Sequence, residues 1–285
     1  PDAFTEGMER FIKGLAKKVL LANVCGAALE ELTLAGTGAP LSLLGAWLAA
    51  FLYTLQIYFD FSAYSDMAIG LGKTLGFTYK ENFDFPYGSH SVTEFWRRWH
   101  ISLGSFFRDY VYIPLGGNRR GTARTVLNLL VVWGLTGLWH GAAWNFVLWG
   151  LYFGVLLILE RFVFKTILEK TPGAIRWLLT FVIAVIGWVI FYYTDLPALG
   201  QHLCALFGVG ISGLSDAAAA AVVRKYTVYP LIAWVLSLPV VPAVAAKLPR
   251  QLRSALALVF SVVLLGASLL FLVGQSYNPF IYFRF

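Results

Sequence analysis

Long apolar runs parted by short polar breaks set the pattern of this chain. Runs long enough to cross a bilayer fall at about 41–59, 177–194, 228–246 and 254–274. Two shorter runs, Thr125–Trp139 and Trp144–Glu160, are separated only by the corner His140-Gly141-Ala142-Ala143. Residues 1–18 are amphipathic and basic (Arg10, Lys13, Lys17, Lys18), and the chain then turns apolar through Val19–Leu29 and stops at Glu30-Glu31. From Asp60 to Gly121 the pattern is too polar for a simple crossing yet rich in aromatic residues. Trp96, Trp99, Leu103, Phe106 and Tyr110 follow helical spacing, which predicts an amphipathic helix over 94–110. Such a helix lies in the membrane interface or lines an inward-opening vestibule. Pro114 and Gly116-Gly117-Asn118 then end it in a turn. The pattern predicts an all-α polytopic membrane protein, with interfacial or re-entrant helices between about 60 and 121. No internal repeat appears, and Ala217–Ala221, read as a loop, is the one low-complexity stretch. Residues 1–285 therefore read as a single membrane domain.

Composition agrees. The chain is 59% hydrophobic and 13% charged, with mean hydropathy +0.70; soluble domains carry about 25% charged residues. The net charge of +7 does not point to nucleic acid, because Lys and Arg in cytoplasmic loops give the same excess. If each run crosses once and 60–124 lies on one side, that side collects every Lys and Arg except Arg224, Lys225 and Arg284. The positive-inside rule makes it cytoplasmic. Cys25 and Cys204 read as buried thiols. Without a CxxC or His/Cys cluster, neither a disulfide framework nor a metal site is indicated. The chain opens at Pro1 with no Met or signal-peptide pattern, as expected for the later portion of a longer protein.

Two histidines stand out. An ionisable group in apolar membrane sequence is a functional-site hypothesis by default. His140 follows a helix that rises only about 24 Å from Arg124 to Trp139 at 1.5 Å per residue, against a hydrocarbon core of about 30 Å. The corner after it holds no charge or proline, so His140 is predicted to sit below the outer surface, beside a cavity. His100 lies in Glu94-Phe95-Trp96-Arg97-Arg98-Trp99-His100, on the border of an aromatic and a cationic face.

A neutral imidazole can take the proton of a hydroxyl as that hydroxyl attacks a carbonyl, which acyl transfer to an alcohol requires. Against that role, His140 also reads as a satisfied core residue, and His100 as a snorkelling interface residue among arginines. Asp60 and Asp66, flanking Phe61-Ser62-Ala63-Tyr64-Ser65, orient a histidine or substrate hydroxyl in one reading and cap a helix in the other. Arg97, Arg98 and Arg108 hold donor phosphates in one reading and form an ordinary face toward anionic lipid in the other. No phosphate loop, GxSxG elbow or HExxH motif is present.

At these residues the sequence resembles the membrane-bound O-acyltransferase (MBOAT) family, within it the bacterial alginate O-acetyltransferase type. The resemblance is carried by Tyr58-Phe59-Asp60-Phe61-Ser62-Ala63-Tyr64-Ser65-Asp66, by Thr93 to Tyr110, and by Leu115-Gly116-Gly117-Asn118-Arg119. Gly137-Leu138-Trp139-His140-Gly141 and the tail Asn278–Phe285 complete it. It implies a helical bundle around a tunnel, with a cytoplasmic acyl donor at one end and an acceptor at the other. It also implies that the N-terminal helices of the family precede this portion. His140 matches the family's catalytic histidine and His100 its second signature position. Weaker candidates for substrate contact are Trp139, Asp60, Asp66, Tyr64, Arg97, Arg98, Arg108 and Asn145.

The implied function is O-acyl transfer, acetyl in the first instance, from a cytoplasmic thioester (acetyl-CoA or an acyl carrier) across the bacterial inner membrane to an exported, alginate-like polysaccharide. No tightly bound cofactor is implied, and a periplasmic acyl-accepting enzyme is the implied partner beside the lipid bilayer. Alternatives are acylation of peptidoglycan, cellulose or teichoic acid, or a non-enzymatic transporter or channel subunit. A transporter would show repeat symmetry and a path of intramembrane charges, and the sequence has neither.

Overall fold

The computed structural model describes residues 2–35, 40–273 and 280. Helices α1 (Asp2–Ala16), α2 (Asn23–Ala35) and α3 (Leu43–Thr74) come first, with a π-helical segment, Lys17–Ala22, joining α1 to α2. Two short helices come next, α4 (Val92–Arg98) and α5 (Ile101–Phe107), then α6 (Thr122–His140) and α7 (Trp144–Phe162). The chain continues through α8 (Lys165–Lys170), α9 (Gly173–Tyr192) and α10 (Leu196–Leu206). It ends with α11 (Ala217–Tyr226), α12 (Val228–Leu236), α13 (Val240–Ala245) and α14 (Arg250–Val273). Helices α3, α7, α9 and α14 are long and apolar enough to cross a bilayer, and α11 with α12 forms a further candidate bent by 65°. The chain is a multi-pass, all-α membrane protein. Its residues gather into two compact units: Pro1–Gly38, Phe51–Phe83 and Ala217–Phe285 in the first, Ala39–Ala50 and Asp84–Asp216 in the second.

In the first unit α1 lies close along α3. A Cβ added at Gly7 would come within 2.7 Å of the Gly70 carbonyl oxygen, and one at Gly70 within 2.6 Å of that of Gly7. Small residues at such crossings let membrane helices pack backbone to backbone. The contact also brings Arg10 of α1, with Lys17 and Lys18 of the π-helical segment, onto the carboxylates of α3. Lys18 pairs with Asp60, which is 2% exposed. Asp66 accepts from Arg10 Nη2 at 2.9 Å and from Lys17 Nζ at 2.6 Å. Neutralised in this way, the carboxylates do not end the helix. The apolar run expected to stop at Phe59 continues to Thr74, and Asp60 and Asp66 lie inside α3 rather than at a cap.

The second unit is built on the α6–α7 hairpin, again closed by glycine. A Cβ at Gly137 would sit 2.3 Å from the Phe146 carbonyl oxygen, and one at Gly150 2.2 Å from that of Trp133. Against the hairpin lies an aromatic core from α4, α7 and α9. Trp96 meets Trp133 and Phe153 at 4.7 Å each, and Trp99 meets Trp188 at 4.5 Å between ring centroids. The first two of these pairs are edge-to-face, and contacts at these separations add to the large apolar area the rings bury.

Other expectations change as well. The helix predicted over 94–110 is broken at Trp99-His100, because Trp99 turns inward and is 4% exposed while the chain reverses its backbone sense at His100. The run at 228–246 is divided at 237–239, where Pro239 lacks the N–H a continuing helix needs. Ala217–Ala221 begins α11 rather than a loop, as the helix propensity of alanine favours. Cys25 is buried, but Cys204 is exposed on α10. Of the tail motif, all but Phe280 lies outside the described residues, as does Arg284.

Candidate active site

A cavity of about 1150 Å³ lies within the second unit, and both His100 and His140 line it. Each is brought there by a local break in helical structure. His140 is the last residue of α6; Gly141, at φ 156°, lets the chain leave the helix, and Ala143, extended, leads into α7. The four-residue corner keeps the imidazole among rings. Trp139 is 4.9 Å away between centroids, Trp149 and Phe191 are 5.1 Å away, and Phe146 is 6.3 Å away.

His100 sits between α4 and α5 in the left-handed region, at φ 46° and ψ 54°. For a residue other than glycine this costs about 1–2 kcal/mol, so surrounding structure must hold it. On the preceding side, Phe95 and Trp99 are buried and stack on each other, and Phe95 also stacks on Phe153. On the other side, the Gly104 N–H donates to the His100 carbonyl at 3.0 Å and starts α5. Ser102 Oγ lies 3.3 Å from His100 Nδ1, and the Trp139 ring is 6.1 Å from the His100 ring. Burial, with His140 nearby, pushes the His100 imidazole down to about 3. His100 is therefore neutral at any ordinary pH.

The weaker candidates separate. Arg97 and Arg108 line the cavity and are exposed, with Arg108 donating to Asp109 at 2.7 Å. Arg98 is not in the lining; it pairs with Glu94 at 2.8 Å. Trp139 touches both imidazoles with its ring while remaining 47% exposed. Asn145 is fully buried and donates to the carbonyls of Ile190 at 3.4 Å and Phe191 at 2.9 Å, so it ties the start of α7 to the end of α9. Asp60, Tyr64 and Asp66 belong to the first unit; Tyr64 is 37% exposed, its ring 5.6 Å from Phe280.

Several lining residues had no sequence signal of their own. His90, Glu160, Arg161 and Arg176 are among them, as are the rings of Trp133 and Trp149. On α7, Trp149, Leu157 and Glu160 recur at helical spacing, a periodicity hidden because the whole run is apolar. A contrasting histidine is His202. Its Nε2–H donates to the Ala46 carbonyl at 3.0 Å, leaving Nδ1 to accept from the Tyr193 hydroxyl at 2.9 Å. It is a satisfied core residue.

The helical membrane fold, the tight α6–α7 corner and the paired histidines on one cavity define the class. The chain belongs to the membrane-bound O-acyltransferase family (MBOAT), whose family model matches residues 36–196. It is similar to a probable alginate O-acetylase AlgI of Azotobacter vinelandii, 40% identical over 319 aligned residues that take in 100% of this chain and 63% of that protein. It is also similar to a peptidoglycan O-acetyltransferase of Helicobacter pylori, 37% identical over 73% of this chain and 40% of that protein. A teichoic acid D-alanyltransferase of Bacillus subtilis is 33% identical over 48% of this chain and 35% of its own length. The chain thus spans less than two thirds of the length of these relatives.

Proposed function

We propose that this chain forms the acyl-transferring part of a bacterial inner-membrane O-acyltransferase that moves acetyl from a cytoplasmic thioester to an exported, alginate-like polysaccharide. The observation that carries the reading is the placement of His100 and His140 on one cavity. The similarity over the whole chain to a probable alginate O-acetylase supports acetyl as the acyl group and an alginate-like polymer as the recipient.

In this reading the acceptor hydroxyl reaches His140, whose imidazole takes its proton as the oxygen attacks the thioester carbonyl. The tetrahedral intermediate collapses, the carbon–sulfur bond breaks and the ester forms. The proton held by His140 leaves with the thiolate, so the products are an ester and a free thiol. His100, kept neutral, positions the donor thioester by hydrogen bonding. Arg97 and Arg108, exposed on the same cavity, steer an anionic donor such as acetyl-CoA or an acyl carrier. The immediate acceptor is a periplasmic partner enzyme that completes transfer to the polymer.

The test is transfer from a labelled acetyl thioester in membranes holding the intact protein or its His140→Ala variant. Loss of transfer with unchanged membrane accumulation is the expected result, and normal transfer by the variant would overturn the assignment. Comparing cell-surface polymers with and without the gene separates alginate-like material from peptidoglycan or teichoic acid as the recipient.

A further inference from the structure

We propose that Glu160 is a positioning residue for His100, an assignment that rests on the acyl-transfer reading above. Glu160 lies near the end of α7, and its carboxylate spans the start of α4. One oxygen accepts from the Val92 N–H at 2.6 Å and the other from the Thr93 N–H at 3.1 Å. The Ser91 hydroxyl accepts from the next amide, that of Glu94, at 3.0 Å. Two side chains thereby satisfy three amides that the first turn of a helix leaves without intrahelical partners. The carboxylate also matches the positive end of the α4 dipole.

The clamp matters because α4 leads straight into His100. With seven residues the helix is too short to hold itself, and its last turn opens into the left-handed corner. Helix α7 grips it twice, through Glu160 at its start and through Trp149 and Phe153 against the Trp96 ring, at 5.4 and 4.7 Å. The same α7 presents Phe146 and Trp149 to His140. One helix therefore fixes both imidazoles on the shared cavity, and Glu160 is its polar hold on the His100 arm. Gln at 160 keeps the shape but turns one acceptor into an NH2 group facing a backbone N–H.

The experiment is steady-state acetyl transfer by the intact protein carrying Glu160→Gln, alone and with His100→Asn, beside His140→Ala and wild type, each corrected for its membrane level. Glu160→Gln is expected to lower kcat about tenfold at unchanged KM for the thioester, since small misplacements of reacting groups cost rate. In the His100→Asn background the same change is expected to add nothing further. Wild-type kcat in Glu160→Gln, a rise in KM alone, or an equal further loss beside His100→Asn would each overturn the proposal. If Glu160→Gln does not accumulate, Glu160→Asp, which keeps the charge on a shorter arm, is read by the same criteria. Full activity in His140→Ala marks failure of the acyl-transfer reading rather than of the clamp.

Discussion

Asp60 in the first unit and His100 in the second are both ionisable groups set deep in an apolar chain, and the chain treats them oppositely. Asp60 is met by Lys18, and Asp66 by Arg10 and Lys17, so the carboxylates of α3 sit in direct ion pairs. The histidines of the cavity are met by rings, with Trp139 beside both and Trp149 and Phe191 around His140. A direct ion pair commits a group to one state and to its partner. An aromatic enclosure favours the uncharged imidazole, the form a general base needs. The first arrangement suits holding helices together and the second suits proton transfer.

That contrast can be broken in several ways. The largest effect is expected at His140, where Ala should lower acetyl transfer by about 10²–10⁴-fold with no change in thermal unfolding, measured by transfer from a labelled thioester and by melting in detergent. Lys18→Met should act the other way round, destabilising by about 3–5 kcal/mol because it removes one side of the buried Lys18–Asp60 ion pair. The double variant Lys18→Met/Asp60→Leu should recover most of that loss in the same melting experiment, and equal melting of single and double variants would show that the pair is not coupled. Gly150→Ala should cost about 1–3 kcal/mol by prising α6 from α7 and should lower transfer as well, because the hairpin carries His140.

The smallest expected effect is one of pH. The folded protein holds His100 near 3, whereas an unfolded histidine titrates near 6.5. Below about pH 6.5 the unfolded chain therefore binds a proton that the folded chain refuses, and stability falls as pH drops from there toward 3. Wild type should lose more melting temperature than His100→Asn between pH 7.5 and 5, and parallel losses would contradict the neutral assignment.

Much of the hairpin was legible from residues alone. Two short apolar runs and an uncharged corner suffice to put His140 inside the protein, and α6 and α7 follow. The break at His100 was not, because Trp96, Trp99, Leu103 and Phe106 also satisfy one continuous helix. What breaks it is the burial of Trp99 against Trp188, a contact between positions far apart in the chain. Glu160 was invisible for a similar reason: its partners Val92 and Thr93 lie 68 and 67 positions away and offer only backbone amides. The end of α3 was misplaced because a lone Asp60 reads as a stop signal, while Asp60 beside Lys18 does not.

The backbone at His100 also decides which replacements can be interpreted. Asparagine tolerates that corner better than most side chains, whereas valine or isoleucine would be forced out of it. Exchanging the imidazole for an amide thus removes ring chemistry and leaves the path of the chain alone. A β-branched substitute removes both at once, and its inactivity would carry no information about the proton.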